Sequence, residues 1–200
     1  MAPLTVAVTG GIGAGKSAAL AAFARRGVPT LSADHVVHRL IGEDPEVRAA
    51  LEERLGTTDR AGIAAVVFAD REQLHWLEAL LHPRVRREQE AWLAGLGAEV
   101  AAIEIPLLFE TGGERDCDAV LVVTASPEVQ RARVLARAGM TEEKFAAIAA
   151  KQMPDAEKRR KAHFLVDTGR GFAAAERQVG DILRALAGRP GGVLARTAAI

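Results

Sequence analysis

The sequence predicts an α/β fold carrying an inserted helical lobe, and three observations lead there. Residues 4–17, Leu-Thr-Val-Ala-Val-Thr-Gly-Gly-Ile-Gly-Ala-Gly-Lys-Ser, run from an apolar β-type stretch through a glycine loop into a helix start. Short runs of aliphatic and β-branched residues recur at 28–31, 100–105, 119–123 and 164–166, with helical patterns between them. Between the second and third of these runs, residues 44–97 hold several helix starts and no strand signal. That is far more chain than a crossover between parallel strands requires, so it reads as a lobe of its own.

Bulk composition fits this reading. Two hundred residues with 49% hydrophobic content suffice for one α/β domain with a real core. Lys plus Arg equals Asp plus Glu at 26 each, so no global field draws in nucleic acid, and none is expected as a partner. A single cysteine, Cys117, excludes an internal disulfide framework and reads as a small buried residue rather than a nucleophile. The chain enters a strand at once, with no charged leader, and no apolar run reaches the length of a membrane span. A soluble cytoplasmic protein with no membrane partner is the expectation.

The first strand is followed by the spacing G-x-x-x-x-G-K-[ST], filled by Gly10, Gly15, Lys16 and Ser17. Glycines let the backbone approach anionic oxygens because no Cβ intervenes. A helix beginning near Lys16 turns its unpaired N–H groups and positive dipole end toward the same point. Such a loop cradles a polyphosphate, with Lys16 reaching the β and γ phosphates and Ser17 holding Mg²⁺. A glycine turn without a ligand is the alternative, but the strand before it and the helix after it are the context that the motif needs.

Gly27 stops the first helix, and Val28–Leu31 delivers Ser32-Ala33-Asp34 at a strand end. Carboxyl ends of strands in open α/β sheets face the ligand crevice, which makes Asp34 a candidate catalytic carboxylate. Capping a helix over 35–41 is its other reading, and the two roles are compatible. Asp44-Pro45 and Asp70 open further helices, the second over 71–81 with Leu74, Leu77 and Leu81 at helical spacing. Pro83 interrupts, and a new helix is expected over 84–96. His82 reads as packed or hydrogen-bonded within the lobe.

Glu104, near the end of the third strand, reads either as a group acting near Mg²⁺ or as a solvent-facing strand-end residue. The strand over 119–123 is apolar on both faces and should be central. Ser126-Pro127 caps a helix bearing Arg131, Arg133 and Arg137 up to Gly139, and Thr141 opens another through Lys151. These arginines either close over phosphates as a lid or form a solvated face, which spacing favours for Arg131 and Lys144. After the last strand, Asp167-Thr168-Gly169 turns into an amphipathic helix over 172–186, and the chain from Gly188 reads as a loose tail.

In combination these segments resemble the dephospho-CoA kinases. The resemblance rests on Thr9 to Ser17, Ala33-Asp34 with Val37-His38, Leu81-His82-Pro83, Pro106-Leu107-Leu108-Phe109-Glu110, Gln130 with Arg133 and Arg137, and Gln152. It covers nearly the whole chain. It implies a three-layer P-loop core with a five-stranded parallel sheet, similar to nucleoside monophosphate kinases, formed by 1–31, 98–125 and 164–188. A helical CoA-binding lobe would span 32–97, a helical lid 126–163 and a flexible tail 189–200. The implied reaction moves the γ-phosphoryl of ATP to the ribose 3′-hydroxyl of dephospho-CoA with Mg²⁺, in a monomer. Lys16, Asp34 and Arg137 would then be catalytic. Gly11, Gly13, Ala14, Gly15, Lys16, Ser17, Ala18 and Arg133 would hold the nucleotide, with Ser17 on the metal. Asp34, His82, Leu107 and Leu108 would meet the acceptor. Three departures stand out: Ser32 where the family often has aspartate, Ala18 where it often has threonine, and Ala162-His163 with Asp167 where it often has Ala-Asp and asparagine.

Two other functions fit the loop alone. A nucleotide-driven switch is one, although the chain contains no asparagine and so carries no Asn-Lys-x-Asp guanine-reading motif. A kinase for a different small molecule is the other.

Overall fold

The structure is a computed structural model and describes residues 2–191; the end of the proposed tail, 192–200, lies outside the described residues. Strands β1 (Leu4–Thr9), β2 (Thr30–Ser32), β3 (Val100–Glu104), β4 (Ala119–Thr124) and β5 (Phe164–Asp167) form one sheet in the order β2-β3-β1-β4-β5. It is a five-stranded parallel sheet with helices on both sides. β1 runs parallel to β3 with Leu4 opposite Val100, and to β4 with Val6 opposite Ala119. β4 in turn pairs with β5, Leu121 opposite Phe164. The middle strand is therefore β1 and not the 119–123 strand, which lies one place from the edge yet is buried on both faces.

Alternation in β1 and β4 sorts the core into two layers. Leu4, Val6, Val8, Leu121 and Val123 pack with Ala19, Ala22 and Phe23 of α1 (Lys16–Arg25) and with Ala175, Val179 and Ile182 of α9 (Phe172–Leu186). Ala7, Val120 and Val122 face the other way, onto Leu108, Phe109 and Cys117. Covering both faces is what permits uninterrupted apolar strands in a parallel sheet. Between β4 and β5 the chain forms α6 (Pro127–Leu135), α7 (Glu142–Ala150) and α8 (Asp155–Lys161), and Met153 and Ala162, which flank α8, pack onto the Leu108 cluster.

Residues Ser32–Ala94 make a second compact unit, and the described residues before and after them the first. The second consists of α2 (Ala33–Glu43), α3 (Pro45–Leu55), α4 (Arg60–Ala69) and α5 (Arg71–Ala94). The Asp44 carboxylate caps α3 by accepting from the N–H groups of Glu46 and Val47, with Pro45 in the first helical turn. The Asp70 carboxylate accepts from Glu72 and Gln73 in the same manner at α5.

Pro83 does not end that helix. α5 continues through it from Arg71 to Ala94, with Leu77, Leu81 and Leu93 buried along its length. A proline removes one N–H and crowds the preceding turn, at a cost of about 3 kcal/mol. Burial of an apolar stripe on both sides of it offsets that, and guanidinium groups cover nearby carbonyls: Arg84 donates to Leu80 O at 2.9 Å and Arg87 to Pro83 O at 3.4 Å.

Candidate functional site: the glycine loop and its supports

Positive φ angles at Gly10 (152°), Gly13 (77°) and Gly15 (92°) fold residues 10–15 into a tight loop between β1 and α1. A Cβ on Gly10 would stand 2.3 Å from the Val123 carbonyl oxygen, and one on Gly13 2.5 Å from that of Gln130, so these positions exclude side chains by contact as well as by φ. The Ala14 N–H closes the loop on Gly11 O at 3.1 Å, and the Ala18 and Ala19 N–H groups both return to Gly15 O. The amides ahead of them precede the first bond of the helix. Lys16 folds back so that its Nζ donates to Gly10 O at 3.0 Å and lies 3.4 Å from Gly11 O. The Ser17 side chain is exposed in the first turn of α1. A cationic Nζ, an exposed hydroxyl and a helix N-terminus gathered on one loop are the elements of a polyphosphate cradle.

Three supports hold the loop. From α6, the Arg133 guanidinium donates to Thr168 Oγ1 (2.8 Å) and Thr168 O (2.9 Å) and reaches Gly13 O (3.3 Å). The loop itself is gripped by Thr168, whose hydroxyl donates to Ala14 O at 2.6 Å. From the α7–α8 connection, Gln152 Oε1 accepts the Ile12 N–H at 2.8 Å. A cavity of about 290 Å³ opens there, lined by Gly11, Ile12, Gln130, Phe145 and Gln152, with Lys158 in its wall.

Other sequence-derived candidates fall as follows. Asp34 is not a cap; Ser32 holds the N-cap position and Asp34 sits in the first turn of α2, a favourable place for a negative charge. His82 is exposed on α5, not packed within it. Leu107 exposes 42% of its surface, whereas Leu108 is wholly buried beneath the sheet, leaving only Leu107 with side-chain surface to offer a ligand. α6 ends at Leu135, short of Gly139: the Arg137 N–H turns back to Val134 O and the Met140 N–H to Arg137 O, placing Arg137 exposed in the turn beyond the helix. Arg131 pairs with Glu142, and Lys144 Nζ donates to Gly139 O at 2.8 Å, which makes both surface residues.

Glu104 is 8% exposed at the carboxyl end of β3, in register with Val8, and so does not face solvent. Burial, reinforced by the carboxylates of Asp116, Asp118 and Glu114, pushes the Cys117 thiol up to about 12, which keeps it protonated and inert. Among the described residues no group of three or more His, Cys, Asp or Glu side chains is placed to hold a metal ion. No described helix is long and apolar enough to cross a membrane.

One ion pair has no local signal in the sequence. Glu110 Oε1 accepts from Lys158 Nζ at 2.8 Å and from the Met153 N–H at 2.7 Å, and the Lys158 side chain is fully buried. Burial pushes the Glu110 carboxyl up, but the bonds from Lys158 and Met153 together outweigh it and hold the group below its ordinary value of 4.5. A carboxylate with a lowered folded-state pKa contributes stability that is complete above its unfolded value and is lost as pH falls through the folded one. Glu110→Gln is therefore expected to flatten the acid limb of a melting-temperature profile below about pH 5. At neutral pH, removing the ionised partner of the buried Lys158 side chain should lower stability by about 3 kcal/mol or more. Wild-type and variant curves that stay parallel between neutral and acid pH would show that the pair carries no such linkage.

Comparison with known proteins matches this architecture. The family model for dephospho-CoA kinase matches residues 4–173. A dephospho-CoA kinase of Mesorhizobium japonicum is 49% identical over 195 residues, covering 94% of this chain and 99% of that one. Among solved structures, a Thermus thermophilus protein superposes with a TM-score of 0.84 at 34% identity, covering 94% of this chain and 99% of its own. A dephospho-CoA kinase from Campylobacter jejuni shares the fold at 23% identity, with a TM-score of 0.65 over 91% of this chain and 96% of that one. With the glycine loop, Lys16 and the five-stranded parallel sheet in place, these matches establish that the chain belongs to the dephospho-CoA kinase family, ATP-dependent kinases that phosphorylate dephospho-CoA in the final step of coenzyme A biosynthesis.

Proposed function

We propose that the glycine loop holds Mg·ATP and that the chain passes its γ-phosphoryl to the 3′-hydroxyl of the dephospho-CoA ribose, giving coenzyme A and ADP. The observation that carries this assignment is the loop itself, with three positive-φ glycines around a lysine Nζ at a helix N-terminus. Gly11, Gly13, Ala14, Gly15, Lys16, Ser17 and Ala18 form the nucleotide site, with Arg133 beside them. The exposed Ser17 hydroxyl would hold Mg²⁺, an ion that needs few protein ligands beside phosphate oxygens and that would supply charge neutralisation at the phosphates. Lys16 neutralises oxygens that gain charge during transfer, and Asp34 orients the acceptor hydroxyl and takes its proton. His82, Leu107 and Leu108 belong to the acceptor side, Leu108 through the backbone of its turn.

The helical segment 32–97 would take the CoA portion and 126–163 would act as a lid, moving against a core built from 1–31, 98–125 and 164–188. The protein would work as a cytoplasmic monomer with no nucleic-acid or membrane partner. Purified protein with Mg·ATP, offered dephospho-CoA, AMP, CMP, a sugar acid or no acceptor while ADP is followed, tests the reading. ADP should form only with dephospho-CoA. Release without any acceptor would mark a hydrolytic switch, and preference for another acceptor would mark a different small-molecule kinase.

Arg137 carries the lid assignment. Exposed in the turn between α6 and α7, it is free of the helix and within a segment expected to close over ATP and exclude water. Arg137→Ala should lower kcat by about 10²-fold while weakening ATP binding only severalfold. Equal rates for the two proteins would make Arg137 a solvated surface residue.

A further inference from the structure

We propose that Thr168 is a positioning residue for the ATP phosphates: with Arg133 it pins the outer carbonyls of the glycine loop, and so aims the amide of Gly15 inward. Thr168 follows β5, is 2% exposed, and is fixed by its own N–H, which donates to Thr124 O at 3.0 Å at the end of β4. Its single hydroxyl proton goes to Ala14 O, at 2.6 Å, in preference to Thr124 O at 3.4 Å. The hydroxyl oxygen then accepts from Arg133 Nη1 at 2.8 Å, while Arg133 Nη2 holds the Thr168 carbonyl at 2.9 Å. The same Nη1 stands 3.3 Å from Gly13 O and 3.5 Å from Ala14 O. Two consecutive loop carbonyls are thus turned toward one buried hydroxyl and one guanidinium.

Peptide planarity converts this into a statement about donors. In a trans peptide the carbonyl and the following N–H point in opposite directions, so a fixed Ala14 carbonyl fixes the direction of the Gly15 N–H. That carbonyl points outward onto Thr168, and the Gly15 amide, which has no hydrogen-bond acceptor among the described residues, points to the opposite side at the start of α1. Contact is close enough to make the alignment rigid, since a Cβ on Gly15 would lie 2.8 Å from Thr168 Oγ1. A donor held in place before its ligand arrives does not have to be ordered at the moment of binding or transfer. Arg133 acts on the loop from outside through these contacts.

Thr168→Val keeps the shape and removes the hydroxyl; Thr168→Ser keeps the hydroxyl. With folding checked by circular dichroism and thermal melting, calorimetry should give the valine variant an ATP dissociation constant about 10-fold weaker. Its KM for dephospho-CoA should stay within about twofold and the serine variant should recover ATP binding to within about threefold of wild type. Should Thr168→Val fail to fold, Thr168→Ala carries the same expectation. Arg133→Lys, which cannot span the hydroxyl and the two carbonyls together, should weaken ATP binding, and its loss should be less than additive with that of Thr168→Val. Wild-type ATP affinity in the valine variant, a serine variant no better than valine, or full additivity in the double variant would overturn the proposal. The inference rests on the loop being the ATP site, and a wild-type protein that binds no ATP would refute that reading separately.

Discussion

Lys16→Ala should fold as the wild type does and lose nearly all turnover, by about 10³-fold or more in kcat. The side chain donates to the Gly10 and Gly11 carbonyls at 3.0 and 3.4 Å, so the cation is stored on the loop's own acceptors before a stronger one arrives. Phosphate oxygens carry full negative charge and outcompete neutral carbonyls for an ammonium group. During a loose phosphoryl transfer the charge redistributes over the transferring and bridging oxygens, and a fixed cation lowers the barrier because it needs no reorganisation. Alanine at this site keeps the first turn of α1, since it is the best helix former and the loop geometry is set by Gly10, Gly13 and Gly15. Melting temperatures and circular dichroism of the two proteins should therefore agree closely. A folded variant with wild-type kcat would remove the phosphate assignment from the loop.

Features written within a few residues were legible in the sequence, because the physics that produces them is equally local. The loop spacing, the caps at Asp44, Asp70, Ser126 and Thr141, and the stop at Gly27 each depend on one turn of backbone. Interactions that close over long separations left no such trace. Gln152 meets Ile12 across 140 positions, Thr168 meets Ala14 across 154, and Glu110 meets Lys158 across 48. Lys158 stands in sequence as the first of four consecutive basic residues, 158–161, yet it is fully buried. Pro83 is the converse case: the local rule predicted a break, and burial along the rest of α5 overrode it. Likewise Arg137 belongs to the helical pattern by composition, but turn bonds to Val134 and Met140 release it from α6.

Asp34→Asn should reduce kcat by about 10² to 10⁴-fold while leaving the KM for ATP nearly unchanged. Its carboxylate lies in the first turn of α2, two residues past the end of β2. A carboxylate can accept a proton, whereas Ser32, two residues earlier, offers a hydroxyl that is no useful base at neutral pH. Ser32 is moreover 9% exposed and holds the N-cap position of α2, which leaves the carboxylate role to Asp34 alone. A loose transition state leaves proton transfer late, so the lower part of that range is the better expectation. Asparagine keeps the shape and one acceptor oxygen but removes the charge, and loss of a helix-dipole contact at an exposed first turn costs only about 0.3 to 1 kcal/mol in stability. Calorimetry should show both ATP and dephospho-CoA still bound by the variant, with the defect confined to the chemical step. Normal turnover, or a defect confined to Mg·ATP binding, would give the proton to another group and make Asp34 a helix-stabilising or metal-orienting residue.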